Sequence, residues 1–391
     1  MDSSTTETSS AIERSPVNPS VLRASATVDP PFEVQRSTFN VRRSSASARK
    51  PVFDIPPSRI LIIKPSAIGD VVHALPVLNL LRKKWPGSHI SWLVTPGCAG
   101  LLDGHPQLDE VIRFDRRRLG NSWRDLAAAV ALHDLGRNLR SKKFDLVIDL
   151  QGLLRSGMLG FRTGAAVRVG SAGDREFGWM FQTHLAPVDR TGHAVDRYLA
   201  VADYLGLGRL PVQFVFPTDD ADRAAAAPLL PAGPFAVLLP GTNWATKRWP
   251  VEKFAALVKP LRDRFGLATV VAGSAGDSQL AAVIAGAGDL TGKTPLRQLV
   301  AVLEKASLVI ANDTGPMHIA AALGRPLVAV YGPTDPAQTG PYGRADSVVR
   351  LDLVCLPCFS RRCVHQTCLV QLDIETVLKL AAVQLEKVSS M

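Results

Sequence analysis

The chain has 391 residues, 46% hydrophobic and only 6% aromatic, with 45 Lys and Arg against 35 Asp and Glu. That length allows two domains of ordinary size, and the bias toward Ala, Leu and Val suits helices on parallel sheets rather than an aromatic-rich sandwich or barrel. A net charge of +10 and a pI near 9.6 favour anionic partners such as phosphorylated ligands or anionic lipid surfaces. The interleaved aromatic and basic residues of a nucleic-acid face are missing, and no apolar run reaches bilayer length.

Residues 1–57 are rich in Ser, Thr, Pro and Arg and are expected to be disordered. Arg36, Arg42, Arg43, Arg49 and Lys50 give this tail a basic end without an acid. That end suits an anionic membrane, a transit segment, plain solvation or a misassigned start. The tail has no secretory apolar segment, so the five cysteines are expected in a reducing compartment.

The first folded unit, 58–215, is predicted to start with a buried strand at Ile60 to Ile63 and a loop from Lys64 to Gly69. A helix from Asp70 to Lys84, broken near Pro76, follows. Strands are expected at His89 to Val94, Val111 to Phe114 and Asp145 to Asp149, and a long helix at Trp123 to Leu139. The pattern dissolves at 216–233, read as a linker. The second unit, 234–391, alternates again: strands at Phe235 to Leu239, Ala268 to Ala272, Leu308 to Ala311 and Leu327 to Val330. Its helices are expected at Val251 to Phe265, Asp277 to Ala287 and Leu296 to Ala306. Such alternation predicts α/β architecture with two doubly wound parallel sheets facing a cleft.

Loops at strand ends carry the candidate chemistry. Asn312-Asp313-Thr314-Gly315 is turn sequence, Pro316 suits a first helical position, and Gly324 and Pro326 stop the helix after about two turns. The free N–H groups of that helix start suit a phosphate, with Asp313 and His318 flanking it. The same sequence also suits a plain βαβ turn with Asp313 as helix N-cap. In Lys64 to Asp70, Gly69 allows close backbone approach, and Asp70 can act as a general base or simply cap its helix. In Pro240 to Pro250, Lys247 is placed to neutralise phosphate charge, and Arg248 can do so or face solvent. Gly273 to Asp277 ends in a carboxylate suited to ribose hydroxyls. The stretch Gly288 to Thr294 lacks the first glycine of a P-loop, and neither a Rossmann glycine triplet nor a G-x-S-x-G elbow occurs. The spacing of Cys355, Cys358, Cys363 and Cys368, with His365 among them, suits a structural zinc site or unligated thiols, away from the candidate loops.

Taken together, Lys64-x-Ser66-x-x-Gly69-Asp70, Lys247-x-Trp249-Pro250, Asn312-Asp313-Thr314-Gly315-x-x-His318 and Val330-Tyr331-Gly332-Pro333-Thr334-Asp335-Pro336 resemble the ADP-heptose:lipopolysaccharide heptosyltransferases. These are glycosyltransferases of the two-domain GT-B fold, and the resemblance runs from about Arg59 to the C-terminus. It implies an acceptor-binding first domain and an ADP-heptose-binding second domain, with inverting transfer that needs neither metal nor cofactor. Asp70 would be the catalytic base, and Lys247 would meet the charge of departing ADP. Thr242, Lys247, Asp277, Asp313, Thr314, Gly315 and His318 would hold the sugar nucleotide, and Ser66, Gly69, Asn243 and Arg155, in the matching segments, would join the substrate-binding set. Some relatives carry Glu, a longer acid, where this chain has Asp277.

The segments Asp149 to Ser156 and His193 to Arg197 resemble the first heptosyltransferase, which acts on Kdo–lipid A. Pro357-Cys358-x4-Cys363 resembles the second, and the balance favours the first. The resemblance implies a lipid acceptor and work at the cytoplasmic face of a bacterial inner membrane. Arg116-Arg117-Arg118 and Arg140, Lys142, Lys143 are the basic clusters suited to an anionic surface. Transfer of another sugar by the same scaffold is the alternative. A non-catalytic sugar-nucleotide-binding protein would be expected to have lost Asp70, Lys247 or Asp313, and all three are present.

Overall fold

The computed structural model describes residues 50–51, 53–115, 126–173, 176–208 and 211–389. The 1–49 portion of the basic tail and Arg116-Arg117-Arg118 lie outside the described residues. Among those described, the strands form two parallel sheets of six. The first contains β1 (Arg59–Ile63), β2 (His89–Val94), β3 (Glu110–Arg113), β4 (Leu146–Asp149), β5 (Val167–Ser171) and β6 (His184–Ala186), ordered β3-β2-β1-β4-β5-β6. The second contains β7 (Phe235–Leu239), β8 (Ala268–Val271), β9 (Gly288–Asp289), β10 (Leu308–Asn312), β11 (Leu327–Val330) and β12 (Val348–Val349), ordered β12-β11-β10-β7-β8-β9. Counted from its own first strand, each sheet reads 3-2-1-4-5-6. The order reverses between β1 and β4 and between β7 and β10. In open parallel sheets, ligands bind at the carboxyl ends beside such reversals.

The central strands are continuous apolar runs because helices cover both faces. Ile60 pairs with Ile90 on one side and Leu146 on the other, and Val309 sits between Val237 and Leu327. All six are fully buried. One apolar cluster runs from Ile62 and Val71 in the first half to Met317 and Ile319 in the second, so the halves share a core.

Several expectations are corrected. The helix after β1 runs unbroken over Ile68–Lys84, through Pro76. Eleven of its 17 residues are buried, against the first sheet and the Ala194–Tyr204 and Gly315–Ala322 helices. That burial outweighs the roughly 3 kcal/mol that an interior proline costs. The helix expected at Trp123 to Leu139 is described over Leu126–Ser141, its first three expected residues lying outside the described set. The helix expected over Asp277 to Ala287 is shorter, Ser278–Val283.

The 216–233 stretch is not patternless chain. It contains a helix, Asp220–Ala226, capped by Asp219, which accepts the Asp222 N–H at 2.9 Å. Arg297 holds it to the Leu296–Lys305 helix, donating to Asp219 and Asp222 at 2.7 Å each. At the C-terminus, the Ile374–Ser389 helix packs on the second sheet, and Trp249 Nε1 donates to Leu372 O just before it. No helix of the described residues is long and apolar enough to cross a membrane.

Candidate active site

At the first reversal, β1 runs into the loop carrying Lys64 and Ser66. The Lys64 ammonium is buried beneath the loop; it donates to Leu150 O at 3.3 Å and lies 3.8 Å from Asp70 Oδ1 and 5.0 Å from the Tyr198 ring centroid. Burial works against its charge, but Asp70, Tyr198 and Asp149 outweigh it and hold its pKa above the usual value. Asp70, in the first helical turn, does two things. Its Oδ2 accepts the Ala67 N–H at 3.1 Å, which caps the helix, while Oδ1 accepts the Tyr198 hydroxyl at 3.4 Å. The Asp70 side chain stays 41% exposed. At the end of β4, buried Asp149 accepts the N–H groups of Gln151 and Gly152 at 2.9 and 3.1 Å; burial pushes its carboxyl pKa up despite them. Arg155 is exposed just beyond, at the start of the Leu154–Arg162 helix.

At the second reversal, Asn312 ties the two central loops: its Nδ2 donates to Pro240 O at 2.8 Å and its Oδ1 accepts the Trp249 N–H at 3.1 Å. Asp313 is not an N-cap. Its buried carboxylate accepts the Thr334 hydroxyl at 2.6 Å and pairs with Lys247 Nζ at 2.6 Å. Thr314 holds the N-cap position of the Gly315–Ala322 helix without a capping side-chain bond. The first-turn N–H groups there suit an anion. Thr242 donates to Asp313 O at 2.9 Å, and Arg248 donates to Thr242 O at 3.0 Å, while Asn243 is exposed on the same loop. Asp277 Oδ2 accepts the N–H and hydroxyl of Ser274 at 2.8 and 2.7 Å. Its carboxylate lies so close to Gly241 that any Cβ there would collide with it.

The cysteine segment lies against these loops, not away from them. Thr246 donates to Ser360 O at 2.9 Å, the Phe359 N–H to Pro333 O at 2.8 Å, and Arg361 stacks 4.4 Å from the Trp244 centroid. Lys247 Nζ is 4.5 Å from the same centroid. The four thiols are free; Cys355 and Cys358 are exposed and Cys368 is buried. Burial, then the neighbouring thiols, push the Cys368 pKa up. Among the described residues no three His, Cys, Asp or Glu side chains gather as a metal site, so the zinc-like spacing is not realised in geometry.

The two reversals meet. A Cβ on Gly69 would stand 2.5 Å from His318 Cδ2, and one on Gly315 would stand 2.6 Å from Ile68 Cβ. His73 Nε2 is 3.0 Å from His318 Nδ1, and the His73 ring is 5.1 Å from that of His193, whose Nε2 bonds Gly340 O. Burial drives the His318 pKa down to about 4, with His193 and Lys247 adding to it against Asp313 and Asp70. His73 is also held well below its usual value, first by burial and then by His318. The sequence reading gave no role to the buried Lys64, His73 and Thr334, the half-buried Tyr198 or the exposed Arg361. Lys64 and Thr334 stood inside quoted motifs, whereas the others needed the fold.

One wall of this cleft thus offers a carboxylate and the other an ammonium with a helix start. Two facing sheets with that division define a GT-B glycosyltransferase. Residues 132–369 match the model of glycosyltransferase family 9 (heptosyltransferase). Lipopolysaccharide heptosyltransferase 1 of Pseudomonas aeruginosa is 33% identical across 79% of this chain and 88% of its own. Lipopolysaccharide heptosyltransferase 2 of Escherichia coli is 29% identical across 75% and 88%. The solved structure of E. coli heptosyltransferase WaaC with ADP, 30% identical, superposes with a TM-score of 0.68 over 83% of this chain and 99% of that one. The chain belongs to glycosyltransferase family 9.

The junction predicts an acid response. Between pH 6.5 and about 4 the unfolded chain binds a proton that folded His318 refuses, so stability falls as pH drops through that window. Urea midpoints measured across it should fall for the wild type and fall less steeply for His318→Phe. Equal slopes would assign the acid sensitivity to other groups.

Proposed function

We propose that this enzyme moves heptose from ADP-L-glycero-D-manno-heptose to the Kdo–lipid A inner core of lipopolysaccharide, with inversion and without a metal ion. The observation that carries this is the half-exposed Asp70 on one wall and the Lys247 ammonium with the Gly315 helix start on the other, the two walls meeting where Gly315 lies against Ile68. Asp70 takes the proton of an acceptor hydroxyl, whose oxygen bonds to the anomeric carbon as the bond to the diphosphate breaks. ADP leaves with the electron pair. Its charge is met by Lys247 and the backbone N–H groups from Thr314 and Gly315 onward. Thr242, Asn243, Asp277, Asp313 and His318 complete the donor side in residues 234–391, while Ser66, Gly69 and Arg155 belong to the acceptor side in residues 58–215. Residues 216–233 join the two.

Support for the nucleotide comes from the E. coli heptosyltransferase WaaC, solved with ADP and with ADP-2-deoxy-2-fluoro heptose. Support for the first transferase comes from the 33 and 31% identities to heptosyltransferase 1, against 29% to heptosyltransferase 2. Asp70→Ala should lower kcat at least about 100-fold while ADP still binds. An unchanged kcat removes Asp70 from the base role. Across a panel of sugar nucleotides, ADP-heptose should be the best donor and Kdo–lipid A a better acceptor than its heptosylated product, at a rate indifferent to EDTA. A preference for the heptosylated acceptor reassigns the enzyme to the second step, and a better non-heptose donor overturns the donor assignment.

The acceptor also argues for peripheral work on the cytoplasmic face of an anionic membrane. On the first domain, Leu154 and Phe161 lie on one helix, and Phe177 and Met180 on the turn packed beside it; they are 42, 55, 64 and 56% exposed. Arg140 and Lys143 are exposed on the same domain, whereas Lys142 is paired with Glu110 at 2.5 Å. Each free cation near such a surface contributes roughly 1 kcal/mol. Flotation with anionic liposomes should succeed at low salt and weaken at high salt; equal recovery on neutral liposomes sinks the electrostatic account.

A further inference from the structure

We infer that His73 is a positioning residue: its Nε2–H donates to His318 Nδ1 across the domain junction, leaving the His318 proton on Nε2, the nitrogen beside the Asp70 turn. The inference rests on the sugar-nucleotide reading of the site, since the bound donor supplies the oxygen that this Nε2–H would meet.

The two nitrogens are 3.0 Å apart, and the residues are only 4 and 7% exposed. Burial keeps both rings uncharged, so one proton lies between them. Either ring can carry it, and His73 decides which. His73 Nδ1 is buried and has no partner. As a bare acceptor it is tolerable; as an N–H it would be an orphaned buried donor, which native structures rarely keep. The His73 proton therefore sits on Nε2, and His318 Nδ1 accepts it.

A neutral imidazole that accepts at Nδ1 carries its own proton at Nε2. His318 Nε2 lies 3.1 Å from where a Gly69 Cβ would stand, next to Asp70 in sequence, and has no hydrogen-bond partner among the described residues. It is a donor waiting for an acceptor. His73 comes from the helix after β1 and His318 from the helix after β10. The bond that fixes the tautomer therefore spans the two domains, joining a helix of the first to a helix of the second. The competing account is that His73 merely packs the junction.

Two measurements separate these accounts. In ligand-free protein labelled with 15N-histidine, two-bond proton–nitrogen spectra near neutral pH should show His318 protonated at Nε2. His73→Phe should lose that preference. A His318 proton on Nδ1 in the wild type overturns the inference. In steady-state transfer, His73→Phe should lower kcat about tenfold, the scale of one lost buried hydrogen bond, with little change in the acceptor KM. His73→Gln, whose side-chain N–H reaches about where Nε2–H stood, should recover most of that loss, and His73→Phe should cost nothing further in a His318→Phe background. Additive losses, or no rescue by Gln, assign His73 to packing and overturn the inference. If the wild type shows the expected tautomer but transfers nothing from ADP-heptose, the functional reading fails while the positioning role stands. If it transfers and His73→Phe turns over like the wild type, only the positioning role fails.

Discussion

Two helix starts meet at the domain junction, each through a glycine that carries no side chain of its own, and the site depends on that approach. Gly69 lies against the His318 ring and Gly315 against Ile68, each so closely that a methyl group would force the backbones apart. Because both glycines stand at the first turn after a central strand, closing this gap brings the carboxyl ends of β1 and β10 together. Asp70, His318 and Asp313 then fall within one electrostatic neighbourhood, as the shift of His318 records. The shared apolar core behind the junction holds that geometry. A bulkier residue at either glycine would open a wedge where the two reversals meet.

The cysteine segment adds a second constraint on the wall formed by the second domain. Trp244 lies between the Lys247 ammonium and the Arg361 guanidinium, both within the range in which a ring face attracts a cation. Thr246, inside the same turn, is bonded to the backbone of Ser360. The turn carrying Lys247 is therefore braced from outside by residues more than a hundred positions later. Its orientation toward Asp313 is a property of the folded domain, not of the loop alone.

Much of this was legible in the sequence, for physical reasons that also mark where legibility stopped. Buried parallel strands such as Phe235–Leu239 and Leu327–Val330 are short apolar runs bounded by turn residues, and both fall where the sequence places them. Val167–Ser171 and His184–Ala186 were missed because arginine, glycine and histidine interrupt their apolar character. Pro76 misled because local propensity cannot register that a helix is buried on nearly every side. Asp313 at a helix start suggests a cap, and only the distant Thr334 and Lys247 show otherwise. The placement of the cysteines was missed for a similar reason: Thr246 to Ser360 is a contact across 114 positions, invisible to spacing along the chain.

The duplicated topology leaves a question that the charges answer: how two similar walls come to present opposite charge. Each wall pairs a lysine with an aspartate, Lys64 with Asp70 and Lys247 with Asp313. Their exposures are inverted. On the first wall the lysine side chain is 4% exposed and the aspartate 41%; on the second the lysine is 16% exposed and the aspartate 7%. The first wall thus turns a carboxylate outward over a buried cation, and the second turns a cation outward over a buried carboxylate. The two pairs also differ in tightness, 3.8 Å against 2.6 Å. The outward ammonium is the more firmly held, its pair closed on Asp313 Oδ2. The proposed transfer asks for those two opposite fields, one for an attacking hydroxyl and one for a departing diphosphate. The inverted burial of two Lys–Asp pairs supplies both without any difference in the sheets beneath.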